Sequence, residues 1–416
     1  MSEATEYAFY VGVDWATQAH QVVVLDRQRR VVMERVIEHT GVALIEWADG
    51  LVALAGGDPA QVAVAIEVPH GPVVETVLER GLHVYALNPK QLDRFRDRYT
   101  VAGAKDDRRD AFVAAAALMT DRPAFRRLSP TDPQLVRLRE LARAEAELTQ
   151  ELARLANRLR EQLLRYYPQA LTLCPAADEP WLWALLEEAP TPAAARRLTA
   201  VRLTRLLRRH RIRRLTADAV LAQLQTTAVP VAPGTSEAIS EHLAWVLPRL
   251  SLLETQRREC ARRVEKLLTA LSAPDPGQPG EHRDAAILRS LPGLGRTGTA
   301  TMLAEASGLL ATRAYHPLRA HTGIAPVTDR SGKRVAVHMR YACNARLRNA
   351  MYHWGRVSVQ CDPHSRQHYT QLRQRGHSHA RALRGVVDRL LRVLMAMLKT
   401  RTLYDPAQRR PLEKVA

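Results

Sequence analysis

YAFYVGVDWATQAHQVVVLDRQRRVVMERVI, residues 7–37, holds three closely spaced β-forming runs. Residues 7–13, 20–26 and 30–37 are short, valine-rich runs broken by polar, turn-forming residues, which is the pattern of successive β-strands. The first run ends on Asp14. Outward from there, a helix is predicted over 42–55. QVAVAIE (61–67) follows, with a nearly all-apolar interior, as in a parallel strand covered on both faces, and it terminates on Glu67. Gly71-Pro72 opens a helix through Arg80, and LHVYAL (82–87) is a further strand. Three hairpin strands followed by alternating helix and strand imply an α/β layer fold.

The pattern becomes helical at about 134. Leu138, Leu152 and Leu159 fall on one heptad seam and Leu141, Leu148 and Leu155 on the other, with Glu145 as an interruption. A second long helix is predicted at 237–272. The two could pair as an antiparallel hairpin or join another subunit. Between them, residues 202–214 carry seven arginines interleaved with leucines, readable as a solvated amphipathic helix or as one facing nucleic acid. APDPGQPGEH (273–282) has linker composition. The expected plan is therefore an α/β domain at 1–125 and a helical, coiled-coil middle at 126–272. A linker at 273–282, a mainly α domain at 283–405 and a tail at 406–416 complete it. In the last domain 321–340 is loop-rich and 386–398 is a core helix.

The chain has 416 residues with 61 Lys/Arg and 43 Asp/Glu, a net charge of +18. The excess is uneven: residues 1–125 hold 13 basic and 18 acidic residues, so the remainder carries +23. Such a split predicts that the later part binds a polyanion. No apolar run reaches the roughly 18 residues of a membrane span, and the N-terminus lacks a secretory pattern. Four cysteines form no CxxC pair. The expected compartment is a reducing cytoplasm, with no membrane partner.

Four carboxylates stand out by position. Asp14 and Glu67 end strands, while Asp107 and Asp110 lie three apart in KDDRRDA, on one face if 104–119 is helical. Singly, such acids are commonly structural. Converging, they repel unless a cation neutralises them, and hard oxygen ligands suit Mg²⁺ or Mn²⁺. Lys105, Arg108 and Arg109 beside them suit a phosphate approaching that metal.

Two later motifs carry chemistry. LRSLPGLGRTGTATMLAE (288–305) has a helix-hairpin-helix-like core, in which Gly293 and Gly295 would let the backbone approach a phosphate, beside Arg296 and Thr297. An ordinary αα turn is the plain alternative. Residues 321–350 read HTGIAPVTDRSGKRVAVHMRYACNARLRNA.

VGVDWATQAHQVVVLD, AIEVPHG and LNPKQLDRFRDRYTVAGAKDDRRDA resemble the N-terminal DEDD domain of the insertion-sequence 110 transposases, the bridge-RNA-guided recombinases. GIAP, RSGKR and ARLRNA resemble the C-terminal domain of the same family. The resemblance spans about 1–120 and 283–405. It implies an RNase H-like, Holliday-junction-resolvase-like N-terminal fold with a metal-binding tetrad of Asp14, Glu67, Asp107 and Asp110. One departure is Asp106, where the family usually has threonine. It also implies Ser331 as nucleophile. A weakly nucleophilic hydroxyl needs help, and Arg330, Lys333, Arg334 and Arg340 are placed to hold phosphate, with Arg346 and Arg348 in ARLRNA beyond. Arg205 and Arg209 are further nucleic-acid candidates.

The function so implied is RNA-guided cleavage and rejoining of target and donor double-stranded DNA through a phosphoserine intermediate. Its partner is a non-coding guide RNA, and its assembly a homodimer that forms a homotetramer, Ser331 of one subunit completing the acidic site of another. Rival readings are a metal-dependent, junction-resolvase-like endonuclease without a serine nucleophile and a non-enzymatic nucleic-acid-binding protein. Locally, His338, Arg340 and Tyr341 hint at a tyrosine recombinase, and Cys361, His364 and His368 at zinc.

Overall fold

A computed structural model describes residues 6–98, 106–129, 132–274, 277, 281–332 and 334–408. The chain divides into two compact units, Met1–Asp132 and Pro133–Ala416.

The first unit is a mixed α/β sheet domain. Strands β1 (Phe9–Asp14), β2 (Ala19–Asp26) and β3 (Val31–Glu38) form the antiparallel meander, followed by helix α1 (Gly41–Leu54) and strand β4 (Val62–Ile66). Helix α2 (Pro72–Glu79), strand β5 (His83–Ala86), helices α3 (Pro89–Arg96) and α4 (Asp107–Asp121) and strand β6 (Arg126–Arg127) complete it. The sheet order is β3-β2-β1-β4-β5-β6, with β1, β4 and β5 mutually parallel. Val62–Ile66 is buried throughout because both faces are covered. Val11, Val13, Val64 and Ile66 pack toward α1 and α2; Tyr10, Ala63 and Ala65 pack toward α4. The unit ends later than residue 125 because β6 adds a sixth strand beside β5.

The second unit is mostly helical. Helix α5 (Pro133–Tyr166) leads into the short helices α6 (Pro168–Leu173), α7 (Pro180–Glu188), α8 (Pro192–Ala195), α9 (Ala200–Arg209) and α10 (Ala217–Leu224). The long helix α11 (Thr235–Ser272) returns. Leu138 of α5 shares a core with Val264 and Leu268 of α11, whereas Leu155, Leu159 and Leu163 share one with Leu243, Leu247 and Leu250. The two long helices therefore pair antiparallel within the chain, which occupies much of the predicted seam.

After α11 come α12 (Asp284–Ser290), α13 (Gly295–Ala311), α14 (Tyr315–His321), the strands β7 (Val327–Ser331) and β8 (Arg334–His338), and then α15 (Ala345–Cys361), α16 (Pro363–Gln374) and α17 (His379–Thr400). The apolar run 386–398 is core, as expected: Val386, Leu390, Leu391 and Leu394 are buried. Residues 285–398 share one core with Leu138, Val264 and Leu268. The middle region and the C-terminal domain, expected as separate bodies on either side of a linker, are thus one compact unit. The His282 amide even bonds the carbonyl of Arg401 at 3.2 Å.

Glu145, the interruption in the heptad, is buried and accepts two bonds from the Arg296 guanidinium, one of them at 2.7 Å. A buried carboxylate needs such a partner. Glu145→Gln is expected to cost about 3 kcal/mol in urea unfolding, because it leaves a part-buried guanidinium uncompensated. Replacing both residues by leucine should recover most of that. An unchanged midpoint for Glu145→Gln would show that the pair contributes nothing to the fold.

Candidate active site and nucleic-acid-facing residues

The acidic site follows from strand alternation. Successive side chains on a strand point to opposite faces, so Tyr10, Gly12 and Asp14 share the α4 face of β1. Ala63 and Ala65 do the same on β4, and the next residue in that series is Glu67. Val13 is in register with Ile66, so the following step brings Asp14 beside Glu67 at the ends of two parallel strands. Small residues at Gly12, Ala63, Ala65, Ala111, Ala114 and Ala115 let α4 lie close on the sheet. The first turn of α4 carries Asp107 and Asp110. Asp106, the residue that departs from the family pattern, is the helix N-cap: its carboxylate accepts from the Arg108 amide at 3.2 Å. This satisfies an otherwise orphan donor and sets Asp106 apart from the tetrad.

Asp14 senses the other three acids. Burial, then the charges of Asp110, Asp107 and Glu67, push the Asp14 carboxyl up to about 6, against the opposing pull of Arg96. Asp110 is buried and takes two bonds from Arg96, at 2.6 and 2.8 Å, and Arg96 also reaches Asp93 at 2.7 Å. Arg96 is an internal counter-ion that the sequence reading did not single out. It lies 14 positions before Asp110, with no local spacing to reveal the pair. The tetrad is not a closed cage. Among the described residues, the group whose donor atoms all fall within 4.8 Å of one another is Cys174, Asp178 and Glu179. The donor set nevertheless fits a hard divalent cation: oxygen-only ligands, converging on the strand ends, whose repulsion is already expressed in the raised Asp14 carboxyl.

Asp14 therefore carries a testable cost. Its native carboxyl holds a proton more tightly than the unfolded one, which titrates near 3.8. The stabilisation this gives is complete below about pH 4 and is lost as pH rises through about 6. Asp14→Asn is expected to stabilise the metal-free protein above pH 6 by about 1–2 kcal/mol, after discounting for partial exposure. It should also flatten the stability profile between pH 4 and 6. Denaturant midpoints measured across that range check this; a less stable Asp14→Asn at pH 7.5 would contradict it.

The turn that follows Asp14 is pinned by a histidine pair, also missed in the sequence. The Ala16 amide donates to His20 Nδ1 at 3.3 Å, so that nitrogen is unprotonated, and His20 Nε2–H then donates to His39 Nδ1 at 2.8 Å. Burial, then His39, hold the His20 imidazole below its usual range. Trp15 stacks over His20 and stays exposed.

The basic candidates divide. Arg108 is held by Glu34 at 2.7 Å, while most of its side chain stays exposed. Arg109 is half-buried, and Lys105 lies outside the described residues. In α9 the leucines at 203, 206 and 207 are buried while Arg202, Arg205, Arg208 and Arg209 are exposed, an amphipathic helix with a cationic outer face.

The LPGLG turn departs from its expectation. Gly293 has φ +77°, and a Cβ there would sit 2.6 Å from the Ser358 amide of α15. The close backbone approach it permits is to this helix, whose Trp354 and Ser358 side chains bond the Pro292 carbonyl at 3.0 and 2.9 Å. Arg296 is likewise turned to Glu145, although both had been expected to face nucleic acid. Gly295 and Thr297 remain exposed at the start of α13.

Ser331 ends β7 in a two-stranded hairpin where a loop-rich segment was expected. It pairs with Arg334 across the ladder. Alternation places Asp329, Ser331, Arg334 and His338 on one face, and Thr328, Arg330, Val335 and Val337 on the other. Every residue of β7 is exposed. Gly332, at φ +54°, opens the turn, and Lys333 lies outside the described residues. Arg340 bonds the Ala325 carbonyl at 3.3 Å at the hairpin's base, Arg348 lies over the Tyr341 ring, and Arg346 is exposed. Cys361, His364 and His368 do not gather as a three-donor group among the described residues.

A family model described as a transposase, of the DEDD insertion-sequence 110 type, matches residues 11–168, and one described as the transposase IS116/IS110/IS902 family matches residues 285–370. The "Mini-circle putative transposase for IS117" of Streptomyces coelicolor is 31% identical, over 95% of each chain. The chain belongs to the IS110 family of transposases. The "Insertion element IS110 uncharacterized 43.6 kDa protein" of the same organism is 29% identical over 97% of each chain. "Putative transposase y4uE" of Sinorhizobium fredii is 51% identical over 211 residues, which span 50% of this transposase and 58% of that relative. The first match covers Asp14, Glu67, Asp107 and Asp110, and the second covers Ser331. A DEDD transposase domain implies a divalent metal. No helix among the described residues of this transposase is long and apolar enough to cross a membrane.

Proposed function

We propose that this IS110-family transposase cleaves and rejoins DNA by a serine nucleophile assisted by a metal-binding acidic tetrad, guided by a non-coding RNA. The observation that carries the reading is the placement of Asp14 and Glu67 at the ends of two parallel strands with Asp107 and Asp110 on the first turn of α4, where burial and then the charges of the other three raise the Asp14 carboxyl, in a sheet whose strand order suits an RNase H-like domain. Mg²⁺ or Mn²⁺ bound there would stabilise the charge that develops on a phosphate under attack. Asp14, Glu67, Asp107 and Asp110 would be its ligands, with Arg96 orienting Asp110. Ser331 Oγ attacks phosphorus, forming a phosphoserine bond as the P–O bond to the leaving deoxyribose oxygen breaks; the freed hydroxyl reverses the exchange on rejoining. Arg334, its cross-strand neighbour, lies where it can neutralise phosphate oxygens.

The β7–β8 hairpin that carries Ser331 suits a segment that is covered only in an assembly with DNA. An isolated two-stranded ribbon is marginal in water, and Val335 and Val337 are more than half exposed. Such a hairpin gains a covering surface when DNA and another subunit close over it. The net charge of +23 in the later part suits DNA and RNA backbones together,. A homodimer that assembles into a homotetramer would supply the several active sites an exchange of two duplexes requires.

The test is Asp14→Asn and Glu67→Gln in a metal-dependent cleavage assay on DNA carrying the element's ends. Both should lose cleavage at least ~10²-fold at saturating Mg²⁺ while remaining folded. Cleavage at the wild-type rate in either variant would remove the metal-site reading.

A further inference from the structure

The arginine-rich segment 202–214 does not present all its guanidiniums alike. Arg214 is committed to Glu179, at 2.7 and 3.0 Å, a pairing that, despite partial burial, keeps the Glu179 carboxyl below its usual range. Arg209, His210 and Arg211 instead line a cleft of about 540 Å³ with Arg258 of α11 and with Glu179 and Trp181 at the start of α7. Arg258 shares a single carboxylate, Glu254, with Arg257, so that group of three retains a positive charge. Burial, then Arg209 and Arg258, against the opposing pull of Glu187, push the His210 imidazole below its usual range.

The backbone supplies a second, independent observation. Helix α9 ends in a Schellman turn: the Arg211 amide bonds the Arg208 carbonyl at 3.0 Å and the Ile212 amide bonds the Leu207 carbonyl at 2.9 Å. The position after the C-cap in this motif is left-handed and favours glycine. Here it is Arg211, at φ +58°. Three other arginines among the described residues have positive φ, and each has its own use. Arg313 is bonded to Asp284 at 2.6 and 2.7 Å, Arg401 faces Glu281 and Arg29 lies over Phe112. Arg211 alone of the four lines the cleft. A strained residue held against its preference is a pointer to a ligand.

We propose that this cleft seats consecutive phosphates of an unpaired, bent RNA strand, with Arg209, Arg211 and Arg258 as its contacts. The concave shape selects the strand. A duplex presents its phosphates on a convex rod, which rests on a surface rather than entering a cleft, whereas an unpaired strand folds into one. The inference deepens the proposed function, since it rests on the reading that a guide RNA binds the basic part of the chain.

The strained backbone makes the test clean. In the full-length protein, Arg211→Gly relieves the left-handed strain and removes the guanidinium. Its melting temperature should equal or exceed the wild type's, while its affinity for a fluorescein-labelled, unstructured single-stranded RNA falls about threefold to tenfold. The slope of log affinity against log salt should flatten by about 0.7 for each phosphate that is no longer neutralised. Arg258→Gln should do the same, and affinity for duplex DNA should be unchanged in both. RNA binding at wild-type affinity and slope in Arg211→Gly overturns the proposal, as does a parallel loss on duplex DNA or a wild-type protein that binds no RNA. The acidic-site reading fails separately, through an active Asp14→Asn.

Discussion

Ser331→Ala is expected to abolish both the covalent protein–DNA adduct and strand rejoining, by at least ~10³-fold, without lowering stability. Removing a nucleophile leaves only positioning and charge stabilisation, and these cannot form the covalent bond that conserves the phosphodiester's energy. The residue is exposed at the end of β7, so its loss should not disturb the fold. The endonuclease alternative predicts the opposite: with water as nucleophile, Ser331→Ala would cleave normally and leave free ends. Gel-resolved adduct formation on labelled DNA, run beside a product-joining assay, separates the two. An undiminished adduct in Ser331→Ala would move the nucleophile elsewhere, with Tyr341, 75% exposed just beyond β8, the first residue to test.

Gly12→Ala should be the most damaging single-methyl change in the acidic domain. A Cβ at position 12 would lie 1.8 Å from the Ala111 carbonyl oxygen and 2.7 Å from the Ala115 amide. Both are backbone atoms of α4 and cannot rotate aside, so the helix must move away from the sheet. That movement costs about 3 kcal/mol or more. It also displaces Asp107 and Asp110 from Asp14, so cleavage should fall even where the variant stays folded. Gly50→Ala is the matched control. It lies within α1 with nothing inside 4 Å of the new methyl and should stabilise by about 0.5–1 kcal/mol,. Equal unfolding midpoints for Gly12→Ala and wild type would show that α4 does not depend on this close approach.

The N-terminal sheet was legible because its signals are local. The period-two runs, the apolar run that ends on Glu67 and the i, i+3 acids each specify their own element, which places Asp14 and Glu67 at strand ends and Asp107 and Asp110 on the first turn of α4. Arg96 and the His20–His39 pair were not legible, since each matters only through a partner brought near by tertiary packing. Glu145 illustrates the same limit from the other side. Its violation of the heptad was visible, but the cation that explains it lies 151 positions away. At LPGLG a glycine that admits a phosphate and one that admits a neighbouring helix have the same local signature, and the approach of Ser358 to Gly293 was visible only in the fold. The β7–β8 hairpin was missed although SGK stands between two short β-forming runs. A segment with so little burial lacks the apolar alternation on which the strand reading relies.

On the proposed mechanism the acidic site and Ser331 act on one phosphodiester. The most direct measurement is a trapped reaction on a nicked suicide DNA substrate with Mg²⁺, followed by proteolysis and mass spectrometry of the DNA-linked peptide. A single adduct is expected on the peptide containing Ser331, absent in Asp14→Asn and absent without divalent metal. An adduct on another residue, or Ser331 linkage that persists in Asp14→Asn, would contradict it.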